Sequence, residues 1–249
     1  MLAEERLARI VDVVGRQGTA TVPELAGLLG ISESTIRRDL DKLDQAHRLV
    51  KVHGGATTLE SAHLTRDLTL EERHGLHAGE KRAICAHAAP LVGPDDLVYL
   101  DAGSTVEVLL SHLAERRARY VTDSVSHATM LAGRGFNVTV LGGELKSATE
   151  ALVGPDAIAT LSRYHFTIGF WGANGITPES GFTSPESNEA LIKQLSMEHT
   201  ARRYVLADAT KFDSTSLVGF GPFSSATIIT CGDVPERYRA FDNVVEVSL

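Results

Sequence analysis

An α/β fold with a small helical part ahead of it is predicted for this chain, on three observations. From residue 95 onward, short apolar runs alternate with stretches of helical period. Polar and glycine residues gather where those runs stop. The first 58 residues have no such alternation, and their apolar residues recur at intervals of three and four.

Composition sets the outer limits. The chain has 249 residues, 43% hydrophobic and 22% charged, ordinary values for a soluble globular protein. No apolar run approaches the length of about 18 residues that a membrane span needs. The start, MLAEERLARIVDVV, has early acids and no small-residue cleavage site, which argues against a secretory signal. Cys85 and Cys231 are too few and too far apart for a disulfide framework or a zinc ribbon, so a cytoplasmic setting is expected. A net charge of -8 argues against a general polyanion binder. The charge is unevenly held, however. Residues 1–58 carry eight Lys/Arg and eight Asp/Glu, and the remainder carries 16 and 24. Arg37, Arg38, Lys42, Arg48 and Lys51 fall within fifteen residues, enough for a local basic face.

ERLARIVDVVGRQG, with Leu7, Ile10, Val11, Val13 and Val14 apolar, predicts a first helix closed by Gly15 and Gly18. TVPELAGLLG predicts a second, with Thr21 as N-cap, Pro23 in the first turn and Leu25, Leu28 and Leu29 facing inward. Gly30 ends it. Ser32 then caps a third helix, SESTIRRDLDKLDQA, with one apolar stripe of Ile36, Leu40 and Leu43. Two short helices joined by a glycine turn form a helix-turn-helix. RLVKVHGGATTL reads as two strands about a Gly54-Gly55 turn, a wing after that motif. Expected DNA contacts are Thr21, Ser32, Glu33, Ser34, Thr35, Arg37 and Arg38 on the helices, Lys42 at the helix end, and Lys51, His53 and Gly54 on the wing.

The N-terminal part is expected over residues 1–58, a polar linker over 59–79 and the α/β domain over 80–249. His74 and His77 have the spacing of a ligand pair, but no further cluster completes a site, so neither a metal nor a cofactor is expected. A helix, EKRAICAHAAPLV, opens the α/β part with Ile84, Ala88 and Leu91 on one face. The strands LVYLD, RYVTD, NVTVLGG, FTIGFWGA, RRYVLAD, ATIITCG and NVVEVSL follow, with helices between several of them. One is SPESNEALIKQLSMEHT, with Ser184 as its N-cap. Such alternation implies a mostly parallel sheet with ligands at the C-terminal strand ends.

The residues expected to line that pocket come from six loops. DAGST contributes Asp101, Gly103, Ser104 and Thr105, and the next strand end contributes Thr122 and Asp123. LGGELK contributes Gly142, Gly143, Glu144 and Lys146, and GANG contributes Gly172, Asn174 and Gly175. Glu186, Asp208 and Lys211 complete the set. The chemistry suits a sugar phosphate: free N–H groups of Ser104, Thr105 and Val106 open a helix whose dipole favours an anion. Lys211 supplies a counter-charge, and Asp101 and Asp208 accept from sugar hydroxyls.

GISESTIRRDLDKLDQAHRLVKVHGGA resembles the N-terminal signature of the DeoR family of bacterial transcription regulators. LDAGST, LGGELK, LVGPDA, GFT, NEALIK and LADATKF are similar to the sensor domain of the same family. The resemblance implies a winged helix-turn-helix followed by an isomerase-like α/β effector-binding domain. It also implies a repressor of carbohydrate metabolism genes, binding double-stranded operator DNA as a homodimer or homotetramer at the nucleoid, and released by a phosphorylated sugar. Three departures stand out: Ala46-His47 where a glycine turn is common, Lys51 where Arg is common, and Asp123 where Asn is common. An acid at 123 would disfavour a neighbouring phosphate. The alternative is a sugar-phosphate isomerase with Asp101, Asp208, Glu186, Glu189 or Lys211 as acid and base. An attached DNA reader argues against it. A DNA-architectural protein would leave the glycine-rich pocket unexplained.

Overall fold

Apolar stripes on three helices account for the first of two units, Met1–Arg66 and Asp67–Leu249, seen in a computed structural model that describes residues 3–46, 48–52, 54–58 and 70–249. Helix α1 (Ala3–Gln17) is followed by strand β1 (Thr19–Thr21), α2 (Val22–Leu29), α3 (Glu33–Gln45), β2 (Val50–Val52) and β3 (Gly55–Thr57). Ile10 and Val14 of α1, Leu25 of α2, and Ile36, Leu40 and Leu43 of α3 share one buried core. Arg6 is fastened to Asp39 through two hydrogen bonds, which ties α1 to α3.

Local chemistry sets the turns. Thr21 and Glu24 form a capping box at the start of α2, and Gly30 ends that helix in the left-handed region at φ 66°. Ser32 accepts from Thr35 N to cap α3. Three expectations need correction. Helix α1 runs through Gly15 and stops at Gln17, because Gly18, at φ 74°, is the residue that takes the turn. Leu28 faces solvent; the buried stripe of α2 passes through Val22 and Leu25. Gly55 belongs to a strand, whose register pairs Val52 with Gly55. A Cβ on Gly55 would meet Ala20 O at 2.3 Å, since β3 is sandwiched between β2 and β1. His53 and the linker residues 59–69 lie outside the described residues.

The second unit begins with helical structure earlier than expected, in α4 (Leu70–His74) and α5 (Ala78–Ala88). Then follow β4 (Leu97–Leu100), α6 (Ser104–His112), β5 (Arg119–Thr122), α7 (Val125–Gly133) and β6 (Asn137–Val140). A hairpin of β7 (Glu144–Lys146) and β8 (Ala151–Val153) leads to α8 (Pro155–Leu161) and β9 (Phe166–Trp171). Next come β10 (Gly175–Thr177), β11 (Gly181–Ser184), α9 (Ser187–Glu198), β12 (Thr200–Leu206) and β13 (Val218–Gly221), and then β14 (Thr227–Cys231), α10 (Glu236–Arg239) and β15 (Val244–Val247). The cap of α9 is Glu186, which accepts from Asn188 N and Glu189 N; Ser184 ends β11 instead.

The seven strands expected from sequence form one sheet, ordered β15-β14-β12-β9-β4-β5-β6, with every neighbouring pair parallel. Their apolar residues alternate between faces. Tyr99, Val121, Trp171 and Val205 enter one core, and Val98, Leu100, Tyr120 and Phe170 enter the other. From β4 the chain steps to β5 and β6 on one side and returns to β9 and β12 on the other. The β4–β9 boundary is therefore the topological switch point, where a crevice opens at the carboxyl ends.

Because β3 has no room beside β1, Gly55→Ala is expected to cost about 1–3 kcal/mol, as overpacking does. Hydrogen exchange of the Thr19–Thr21 and Gly55–Thr57 amides measures it; faster exchange is expected, and unchanged exchange would remove this reason for the glycine.

Candidate functional site

In the first unit, the buried stripe of α3 turns the opposite side of the helix outward. Glu33, Ser34, Arg37, Arg38 and Lys42 are exposed there, and Thr35 is half-buried. Arg37 Nη2 lies 3.2 Å from Glu33 Oε2 with both side chains half exposed, a pair that a phosphate oxygen displaces at little cost. Ser32 and Thr21 are occupied as helix caps. Lys51 is half-buried and ion-paired with Asp41, and its N donates to Asp44 Oδ1 at 3.1 Å. Gly54, at φ 84°, is exposed at the wing tip.

In the second unit, the switch point is closed by one aspartate. Asp101 follows β4 directly, and its N donates to Phe170 O at 3.1 Å, extending the β4–β9 ladder by one rung. Its Oδ2 accepts from Gly172 N at 3.0 Å and from Lys193 Nζ. Lys193, from α9, also donates to Gly172 O at 3.3 Å. Both charged groups are buried, so each depends on the other.

Beside this pair, α6 begins on Gly103, with no side chain capping it. Its first N–H groups, at Ser104, Thr105 and Val106, have no acceptor within the helix. Gly103 sits in extended backbone at φ -138°, which any residue adopts, and a Cβ there would make only ordinary contact, 3.4 Å from Asp101 Oδ2. Lys81 of α5 reaches into this corner and donates to Ser104 Oγ at 3.1 Å and to Arg73 O at 2.7 Å. Burial pushes the Lys81 ammonium down to about 8, with Asp208 opposing the shift and Lys211 and Arg73 adding to it. The corner thus combines a helix N-terminus, a hydroxyl and an enclosed cation, the elements of a phosphate site.

At the end of β12, Asp208 caps a 3-10 turn that carries Lys211, accepting from Thr210 N at 3.1 Å and from the Thr210 hydroxyl. Burial alone would raise the Asp208 carboxyl, but Lys211, Thr210 and His77 together hold it below its ordinary value. A separate ion group joins the β7–β8 hairpin to α9. Lys146 lies 2.9 Å from Glu189 and 3.7 Å from Glu186, and Thr149 Oγ1 donates to Glu189 Oε1 at 2.5 Å.

Not every expected residue joins these groups. Thr122 Oγ1 accepts from Ser124 N at 3.1 Å, behind the start of α7. Gly142, Gly143 and Glu144 are exposed, and a Cβ on Gly143 would meet Val153 O at 2.5 Å, so hairpin packing accounts for that glycine. Gly175 packs against Ser214 O, at 2.4 Å from an added Cβ. Asn174 is buried, with its N donating to Thr183 O at 3.0 Å. Asp123 is buried at the end of β5, apart from these groups. His74 lies 2.6 Å from Glu107 Oε2, and among the described residues no cluster that could hold a metal is present. Sequence reasoning missed Lys81 and Lys193. The signal was there: Lys81 shares the buried stripe of Ile84, Cys85 and Ala88, and Lys193 that of Ala190 and Met197. A lysine at a core position of a helix marks a buried partner.

Known proteins match along the whole chain. Residues 6–62 match the DeoR-like helix-turn-helix domain, and residues 76–232 match the DeoR C terminal sensor domain. Among curated proteins, the chain is 36% identical to an HTH-type transcriptional regulator, FruR, of Bacillus subtilis, covering 99% of this chain and 96% of that protein. It is 30% identical to the lactose phosphotransferase system repressor of Streptococcus mutans, covering 94% of each. It is 35% identical to the transcriptional regulator GlpR of Haloferax volcanii, covering 88% of this chain and 86% of that one. Solved structures with related layouts include ribose 5-phosphate isomerase A of Methanocaldococcus jannaschii (15% identical, 53% of each chain, TM-score 0.40). The translation initiation factor eIF-2B of Pyrococcus horikoshii is another (16% identical, 86% of this chain and 74% of that one, TM-score 0.45).

Lys193→Ala leaves the Asp101 carboxylate buried and unpaired, so a loss of about 3–5 kcal/mol is expected. Asp101→Asn with Lys193→Met should recover most of it. Urea unfolding followed through Trp171, the chain's single tryptophan, reads the difference; a single variant as stable as the wild type would show that the pair does not hold the switch point.

Proposed function

The chain belongs to the DeoR family of helix-turn-helix transcription regulators, and on that premise we propose that it represses genes of sugar uptake or use until a phosphorylated sugar enters its sensor domain. The observation that carries the proposal is the Ser104 corner. An uncapped helix N-terminus and the buried Lys81 stand next to Asp101, where hydroxyls of the same molecule find an acceptor. The name of one relative points the same way, since it is called a lactose phosphotransferase system repressor. In this reading Ser34, Arg37 and Arg38 enter a major groove, while Lys42, Lys51 and Gly54 meet backbone phosphates. A homodimer or homotetramer presents several copies to operator half-sites, within the cytoplasm and at the nucleoid.

The pocket is read as a sensor and not as an isomerase. Asp101 is the carboxylate best placed to act as a base, yet Lys193 and Gly172 N hold its Oδ2 and keep it bound to the protein as a charged partner. Glu186 spends its oxygens on the start of α9. Acid–base work needs a carboxylate free to reach substrate carbon.

Gel-shift of the full chain on the DNA upstream of its own gene tests this. The panel is fructose 1-phosphate, fructose 6-phosphate, glucose 6-phosphate, ribose 5-phosphate and glycerol 3-phosphate. One ester is expected to weaken DNA binding about 5- to 150-fold, the range of ordinary allosteric coupling. Arg37→Ala with Arg38→Ala should abolish the shift while leaving ester binding intact. Turnover of an ester at enzyme-like rates, or no effect of any ester on a shift that does occur, would contradict the proposal.

A pH series isolates Lys81. Between pH 7 and 9 the ester keeps its charge, its second ionisation lying at about 6. Lys81 loses its proton near 8. Ester affinity of the wild type is therefore expected to fall across that interval, and Lys81→Met should bind more weakly throughout with a flatter profile. Equal slopes by calorimetry would remove Lys81 from the site.

A further inference from the structure

Asp123 is the acid at the end of β5, one strand from Asp101, and nothing in the phosphate corner makes use of it. It is enclosed by the chain that follows the β7–β8 turn. Ser124 bridges to Ala151, and Asp123 O accepts from Leu152 N at 2.7 Å. Its side-chain Oδ1 is buried and meets no hydrogen-bond partner. The hydroxyl of Tyr99, on adjoining β4, is also buried, and the side chains of Asp123 and Ser196 both bear on it. One oxygen of Asp123 is left unsatisfied at the end of the sheet where ligands bind in this architecture. Buried polar atoms are rarely left so, and those that are call for a missing partner.

The surrounding charges decide which form the carboxyl takes. Asp101, at the end of β4, and Glu189, on α9, face it as acids; Lys193, also on α9, is the cation, and Tyr99 is the neutral neighbour. Lys193 is already bonded to Asp101, and Glu189 has Lys146 at 2.9 Å. Among the described residues no cation lies within ion-pair distance of Asp123. Ionising it would add a buried negative charge opposed only by Lys193, which is already committed to Asp101. Burial first, and then the charge of Asp101, push the Asp123 carboxyl well above the ordinary carboxylate range. Unlike a carboxylate, a protonated acid is a hydrogen-bond donor.

We propose that Asp123 is the specificity residue of the pocket, its carboxyl group donating a hydrogen bond to an acceptor oxygen in the sugar portion of an ester whose phosphate lies on the Ser104 corner. The inference rests on the reading of this pocket as an effector site. It also removes an obstacle, since a neutral acid at 123 does not repel a neighbouring phosphate.

Calorimetry of the full chain with the same five esters tests it at pH 7. Asp123→Asn keeps a donor in place and is expected to bind the preferred ester within about threefold of the wild type. Asp123→Leu removes the donor and should bind it about tenfold more weakly, the loss of one hydrogen bond to a buried group. Its preference among the five esters should narrow as well. Wild-type affinity and ranking in Asp123→Leu would overturn the proposal. So would a loss in Asp123→Asn as large as in Asp123→Leu, which would mean that a charged carboxylate is required. If no ester binds the wild type, the functional reading fails, and melting curves still judge the carboxyl. With a folded pKa raised above the unfolded value of about 3.9, the wild type must lose stability relative to Asp123→Asn as pH rises above about 4. Diverging curves support the neutral acid, and parallel curves overturn it.

Discussion

The bond between Lys193 and Asp101 is the constraint on which the rest of the second unit depends. It joins the end of β4 to α9 across the place where the sheet changes direction. Because Asp101 also holds Gly172 N, the same carboxylate fixes the end of β9. Neither charge is tolerable in that interior alone, so the two strands and the helix come together as one piece. This in turn sets where α6 begins. With Asp101 turned toward β9, the chain needs only Ala102 and Gly103 before the helix starts, and the N-terminus of α6 opens uncapped beside the crevice. The bare corner at the start of α6 thus follows from the ion pair beside it.

Two kinds of lysine therefore share the site. Lys193 has a permanent internal partner and acts as structure. Among the described residues, Lys81 donates to two neutral acceptors, Ser104 Oγ and Arg73 O. Under the proposed function, a cation so placed is the partner of the incoming phosphate. A third group, Lys146 with Glu186 and Glu189, fastens the β7–β8 hairpin to the same helix that supplies Lys193. Helix α9 is thus a shared support for the switch point and for the hairpin over Asp123.

Much of this was legible in the sequence, for physical reasons that particular residues show. Strands such as LVYL and TIITC are covered on both faces, so they read as continuous apolar runs bounded by turns. Capping in the first unit is written in short-range chemistry, and Thr21, Gly30 and Ser32 do what their types favour. The short antiparallel pieces were not legible. Strand β1 and the β7–β8 and β10–β11 hairpins are three or four residues each, and tertiary contacts decide them. Leu28 shows the limit of periodicity: its spacing suits the core stripe, but the eight-residue helix has only one buried edge. Glycines misled for a related reason. Gly55, Gly143 and Gly175 stand where another backbone comes close, a property of the folded chain that a local motif does not carry. Lys81 and Lys193 were hidden because a lysine on a helix is ordinarily solvated; only their place within buried stripes set them apart.

On the proposed function, a phosphate ester is held at the β4–β9 crevice, on the start of α6. A crystal structure of the full chain grown with the tightest-binding ester tests it most directly. The expected result has phosphate oxygens on the N–H groups of Ser104 and Thr105 and on Lys81 Nζ, with the sugar hydroxyls turned toward Asp101. Phosphate bound at Gly142–Lys146 or elsewhere, with the start of α6 left empty, would contradict the account.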